Sequence, residues 1–197
     1  MIAIIDYKAG NLTSVKKAFD RLGAESIVTS DPGVVRAADK VVLPGVGHFA
    51  ATSELSRRGL RGAIQERIAI AKPFLGICVG MQWMLTGSTE APETAGLAVI
   101  PATCDRFCSS ELKVPHVGWN RIAKVRNSWL FNGIDSGSFV YYSHSYFAPV
   151  TADTVAVTEY AGTYSAAVEH GKLFGVQFHP EKSGEVGLKL LRNFAEL

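Results

Sequence analysis

Long apolar runs are missing from this sequence. No window approaches the ~18 apolar residues of a membrane-spanning helix. The opening Met1-Ile2-Ala3-Ile4-Ile5-Asp6 has only four apolar residues after Met1 before an acid ends the run. A secretory leader carries a basic flank and a longer apolar core, so no targeting segment is expected. A charge of one sign is missing too: 20 Lys and Arg against 18 Asp and Glu leave a formal net charge of +2. That balance argues against a nucleic-acid surface and against a polybasic membrane patch. Cysteine is sparse. Cys78, Cys104 and Cys108 are odd in number, so at least one thiol is free, which suits a reducing cytoplasm better than a disulfide framework. Cys104 and Cys108 are spaced like half a metal site, but no second Cys or His pair lies nearby and no metal is expected.

What is present is enough for one packed domain over residues 1–197, with 47% of residues hydrophobic. Ile2 to Tyr7 is an apolar run of strand length. Leu12, Val15, Phe19 and Leu22 follow at helical spacing, with Gly23 as a C-terminal cap. Ser26 to Thr29 reads as a strand. Asp31-Pro32 opens a short helix, Asp as N-cap and Pro at the first helical position. Val41 to Leu43 is a buried strand ended by Pro44-Gly45, residues 51 to 71 read as one helix, and Pro73 to Cys78 as another strand. Strands alternating with helices predict a doubly wound α/β fold, flavodoxin-like, with a mostly parallel sheet covered by helices on both faces.

The second half is β-rich. Residues 96–107, 118–125, 139–147, 154–160, 164–169 and 173–178 are strand-like and separated by turn residues. Residues 183–197 close the chain as a helix, with Val186, Leu190, Leu191 and Phe194 on one face.

Three segments carry chemistry. In Gly76-Ile77-Cys78-Val79-Gly80-Met81-Gln82 a strand runs straight into a helical pattern at 79–85, with the cysteine at the junction. A nucleophile at such a turn is pushed out of the sheet, and the two glycines permit the tight backbone. A helix N-terminus favours the thiolate, and the Val79 amide points toward a developing oxyanion. The motif by itself fits a buried cysteine in a core turn equally well. The second segment is His179-Pro180-Glu181, leaving a strand. An extended chain puts residues two apart on one side, so Glu181 reaches one ring nitrogen of His179 while the other faces a thiol. The third is Leu43-Pro44-Gly45-Val46-Gly47-His48-Phe49, whose glycines let a backbone amide turn toward a substrate oxygen. No Gly-Lys-Ser/Thr ending follows it, so phosphate binding is the weaker reading.

Together these segments resemble the class I glutamine amidotransferases and, within them, the glutaminase subunits of imidazole glycerol phosphate synthases, enzymes of histidine biosynthesis. LPGVGHF (43–49), GICVGMQ (76–82), VPHVGWN (114–120), YYSHSYF (141–147) and GVQFHPEKSG (175–184) carry the likeness, with Asp6-Tyr7 and Gly10-Asn11-Leu12 near the start. The resemblance implies that Cys78 attacks the glutamine amide, that His179 shuttles the proton and that Glu181 orients it. It implies an oxyanion hole from Gly45, Val46, Gly47 and Val79, and a glutamine pocket lined by Gln82, Ser145 and Tyr146. It also implies ammonia transfer to a separate (β/α)8-barrel cyclase subunit, docked over Asn11, Trp119, Tyr141 and Lys182, with no cofactor. Lys8-Ala9 departs from the small residue or glycine usual after Asp-Tyr in this family, on a loop bordering the expected docking surface. Of the five histidines, His48, His116 and His170 are expected in turns or at the surface, and His144 in the pocket-lining segment.

Overall fold

The computed structural model describes residues 1–197. The apolar runs of the first half become strands hidden on both faces. β1 (Ile2–Ile5) is buried at every position, β2 (Ser26–Thr29) lies at the sheet edge, and β3 (Lys40–Gly45) and β4 (Phe74–Cys78) are buried almost throughout. Between them run α1 (Leu12–Arg21), α2 (Pro32–Ala37), α3 (Ser53–Arg57) and α4 (Leu60–Ala69). α1 buries Val15, Ala18 and Phe19 on one stripe, and Gly23 follows it at φ +69°. α2 starts as its sequence predicts: Asp31 Oδ1 accepts from Gly33 N at 2.7 Å, with Pro32 at the first helical position.

After β4 come α5 (Val79–Gln82), β5 (Leu85–Ser88), β6 (Ile100–Arg106), β7 (His116–Arg121), β8 (Ala123–Lys124), β9 (Phe139–His144) and β10 (Tyr146–Phe147). The chain ends with β11 (Thr154–Glu159), β12 (Thr163–His170), β13 (Leu173–Val176) and α6 (Gly184–Ala195). The main sheet has the order β2-β1-β3-β4-β13-β12-β11-β8. Its first five strands are parallel, in the order of a flavodoxin-like sheet, and the last three continue it antiparallel. β13 is last in sequence but central in space, beside β4. That placement brings the segment after β13 to the carboxyl end of β4. The rest of the β-rich half forms a three-stranded sheet, β10-β6-β5, and a two-stranded ribbon, β7-β9.

Three expected elements come out differently. The helix expected over 51–71 is broken: a 3-10 turn (Phe49–Thr52), α3 and α4 replace it, with Gly59 at φ +71° between the last two. A continuous helix has no left-handed residue, and the break lets Leu55 and Leu60 both bury completely. The helix expected over 79–85 stops at Gln82. Leu97 N donates to Trp83 O at 2.6 Å and Ile100 N to Met84 O at 3.1 Å, so tertiary donors take carbonyls that more helix would have used, and Leu85 begins a strand. The strand expected from residue 96 begins only at Ile100, because residues 97–100 supply those donors.

Candidate active site

The nucleophile candidate sits where β4 meets α5. Cys78 holds φ +54° and ψ −109°, a conformation that costs a non-glycine residue roughly 1–3 kcal/mol and persists only where its surroundings over-determine it. They do so sterically. A Cβ on Gly80 would lie 1.9 Å from Leu43 O, and one on Gly76 would lie 2.4 Å from Gly80 O. Backbone therefore touches backbone on both sides of the cysteine, as expected for a nucleophile elbow. α5 spans only Val79–Gln82, so its dipole is a minor influence, but Val79 N, as its first amide, has no acceptor inside the helix.

Gly45 pairs in register with Cys78, so the end of β3 lies alongside the thiol. Val46 is exposed, and Gly47 takes φ +105°, which a side chain would strain. Phe49 N, at the end of this loop, donates to Glu90 Oε2 at 2.8 Å.

His179 arrives from β13. Its N–H donates to Tyr141 O at 2.9 Å, Ser183 Oγ donates to His179 O at 2.6 Å, and Tyr141 N donates to Ser183 Oγ at 3.0 Å. These bonds staple the turn to β9. The ring's Nδ1 donates to Glu181 Oε1 at 3.0 Å, and its other side faces Cys78. Glu181 does not reach it along extended chain as expected: Pro180–Lys182 is a 3-10 turn, which carries the carboxylate back under the ring. Glu181 Oε2 is buried without a partner. Burial opposes a charged imidazole, but hydrogen bonds to Cys78 and Glu181 outweigh it and push His179 up to about 10. Such a ring holds a proton beside the Cys78 sulfur. Cys78 and His179 are 3% and 1% exposed, so this state of the chain shuts the pair away from bulk water.

Gln82 is buried, and its amide nitrogen donates to Tyr146 O at 2.8 Å and Gln177 Oε1 at 3.1 Å. An amide nitrogen has two hydrogens, so Gln82 has only its carbonyl left for a substrate. Ser145 O accepts from Phe107 N at 3.0 Å, which fixes the backbone next to Tyr146. Gln177 went unmarked in the sequence. It is fully buried, and its Nε2 donates to Cys78 Sγ at 3.5 Å. The available signal was a lone amide in the apolar run 173–178. Tyr7 was marked only as part of the family likeness and given no role; its buried hydroxyl has no partner and lies where a side chain on Gly45 would collide with it.

The expected docking residues converge. Trp119 and Tyr141 are register partners of the β7-β9 ribbon with ring centroids 6.1 Å apart, and Lys182 Nζ lies 5.8 Å from the Tyr141 ring centre. Trp119 is 55% exposed, so it is not a core residue of this chain. Asn11 precedes α1, which packs on the turn 180–182, and makes no capping bond of its own. Two histidine expectations hold: His48 caps the turn after Gly47, and exposed His170 meets Asp153 at 3.0 Å. His116 does not lie at the surface. It is buried, stacked between Tyr142 and Tyr160 with centroids at 4.8 and 3.9 Å. The larger open clefts border Arg126, Trp129 and Lys172 and include neither Cys78 nor His179. No helix is long and apolar enough to cross a membrane.

Comparison with known proteins agrees with this geometry. The family described as "Glutamine amidotransferase class-I" matches residues 3–197. An imidazole glycerol phosphate synthase subunit HisH from Methanothermobacter thermautotrophicus is 48% identical over 198 residues, covering 100% of this chain and 98% of the relative. One from Moorella thermoacetica is 47% identical, covering 100% of this chain and 94% of the relative. Among solved structures, a glutamine amidotransferase superposes with TM-score 0.78 at 16% identity over 100% of both chains, a likeness of fold alone. The chain belongs to the class-I glutamine amidotransferase family, in the branch of the HisH subunits of imidazole glycerol phosphate synthase.

Proposed function

We propose that Cys78, His179 and Glu181 are the machinery by which this glutamine amidotransferase hydrolyses glutamine to glutamate and ammonia for histidine biosynthesis. Cys78 Sγ adds to the side-chain amide carbon of glutamine, and the carbonyl oxygen becomes an oxyanion. Its donors are Val79 N, the first amide of α5, and the amides of Gly45-Val46-Gly47, where β3 ends beside Cys78. His179 gives a proton to the departing nitrogen, ammonia leaves, and a thioester remains. His179 then takes a proton from water, whose oxygen attacks the thioester; glutamate departs and the thiol returns. Glu181 holds the ring in the tautomer this needs. Gln82, through its free carbonyl, and the Ser145-Tyr146 backbone line the glutamine site.

The observation that carries this reading is the buried His179 ring, with Nδ1 on Glu181 at 3.0 Å and its other side toward Cys78. Its test is Cys78→Ser, which should lose nearly all glutamine hydrolysis and still bind glutamine. Turnover within about tenfold of wild type would end the covalent route.

The ammonia passes to a separate (β/α)8-barrel cyclase subunit, which makes imidazole glycerol phosphate and an aminoimidazole carboxamide ribonucleotide. Ammonia must cross without meeting water, so the partner covers the mouth of the site. The exposed Trp119, with Tyr141, Lys182 and Asn11 around it, suits such a lid. The buried thiol supports a further expectation, that the isolated subunit is nearly silent. Both ideas fit a cytoplasmic heterodimer, and co-purification with a barrel cyclase tests it.

A further inference from the structure

Two runs of buried hydrogen bonds meet at Tyr146 O, which accepts from His144 Nδ1 on one side and from Gln82 Nε2 on the other, and Gln82 leads on to Cys78 through Gln177. At the outer end, Asn120 Oδ1 accepts from Arg121 N at 2.8 Å, so its Nδ2 is the donor toward Glu159 O at 3.1 Å and His116 Nε2 at 3.4 Å. A neutral imidazole has one acceptor and one N–H. With Nε2 accepting, His116 carries its proton on Nδ1 and donates it to Tyr164 Oη at 3.2 Å. Tyr164 sends its own O–H onward, and His144 Nε2 stands 3.3 Å away.

The inner end gives the same assignment. Tyr146 O carries no proton, so His144 Nδ1, 2.8 Å from it, is the N–H, and Nε2 is left to accept from Tyr164. Tyr146 O takes a second donor, Gln82 Nε2, whose other hydrogen goes to Gln177 Oε1. Gln177 is thereby left with Nε2 toward Cys78 Sγ at 3.5 Å. Turning that amide over would set two N–H groups together at Gln82 and a carbonyl oxygen against sulfur. Burial holds both histidines neutral, lowered to about 4 for His116 and about 3 for His144, so the tautomers persist through neutral pH.

We propose that Gln177 is a positioning residue for the nucleophile, presenting one N–H to Cys78 Sγ, and that its orientation is held by Gln82, itself fixed by donating to Tyr146 O. It rests on the assignment of Cys78 as nucleophile. An N–H aimed at sulfur stabilises the thiolate over the thiol.

The test is the rate of Cys78 alkylation by iodoacetamide against pH in the full chain, read by peptide mass so that Cys104 and Cys108 are scored apart. Gln177→Leu should move the midpoint of the profile up by about one pH unit. Tyr164→Phe, which removes a hydroxyl from the run that ends on the other side of Tyr146 O, should leave the midpoint in place. An unchanged profile in Gln177→Leu overturns the positioning role. An equal shift in Tyr164→Phe overturns it as well, because the effect would then come from a loosened polar core. None of these readouts uses glutamine turnover, so a failure of the nucleophile assignment would appear separately, in Cys78→Ser. Should Gln177→Leu not fold, Gln177→Met, which keeps the side-chain length and removes the N–H, carries the same expectation.

Discussion

On one side of Cys78 the protein is held by backbone against backbone. Gly45 lies in register beside it, and Gly76 and Gly80 leave no room for a single added carbon. On the other side it is held by side chains: Glu181 under His179, Ser183 bridging to β9, and the amides of Gln82 and Gln177. The first wall is steric, made where the end of β3 meets the elbow. The second is polar and assembled from strands far apart in sequence, and its outer surface, the β7-β9 ribbon, exposes Val117, Trp119 and Phe139. The difference teaches a division of labour. A rigid wall fixes where the sulfur is, and a hydrogen-bonded wall fixes protons and stays in reach of whatever docks outside.

The largest expected effect falls on the polar wall. His179→Ala removes the proton shuttle and should lower glutamine turnover about 10²–10⁴-fold, whereas Glu181→Gln keeps the ring in place and should cost less. A steady-state assay with the partner present ranks them, and a greater loss in Glu181→Gln would reverse the roles. Next comes the steric wall. Gly80→Ala places a carbon 1.9 Å from Leu43 O, so the elbow or β3 must move. A loss of about 3 kcal/mol or more is expected in urea unfolding; a loss under about 1 kcal/mol would show that the wall yields.

The two walls also part in pH dependence. His116 and His144, lowered to about 4 and about 3 by burial, stabilise the fold fully above the ordinary histidine value near 6.5. That contribution drains as the pH falls from there toward those lower values, on the order of 2 kcal/mol for each ring by pH 5. His179, raised to about 10, has the opposite sign: its contribution is complete below about 6.5 and is lost as the pH rises toward 10. Urea midpoints from pH 4 to 10 should trace a dome, and a flat acid limb would mean the two inner histidines are not held neutral. The smallest effect belongs to the outer surface. Trp119→Ala should leave stability within about 0.5 kcal/mol and weaken association with a barrel cyclase about tenfold. Titration calorimetry against unfolding separates the two, and destabilisation without weaker binding would place Trp119 in the folding core after all.

Much of the local structure was legible without coordinates because its causes are local. Asp31-Pro32 begins a helix by capping chemistry, Leu12 to Leu22 show their stripe, and the glycines around Cys78 mark a turn that tolerates no side chain. What misread was set at a distance. Residues 83–85 have helical spacing, but donors from residues 97–100 take their carbonyls. His116 looks like an isolated turn histidine until β7 pairs with β9 and folds it between Tyr142 and Tyr160.

The sequence by itself determined the alternation of strands and helices, the elbow that carries a cysteine, and the His-Pro-Glu turn, since spacing, glycine and proline act over a few residues. Only the tertiary structure decided that β13 inserts beside β4, which carries His179 across 101 residues of chain to Cys78 and sets Gln177 against its sulfur. Strand order in a sheet follows from which apolar faces bury one another best, and no local spacing encodes that choice. The proton positions along the polar wall follow for the same reason: each is fixed by a partner that only the assembled sheet brings near.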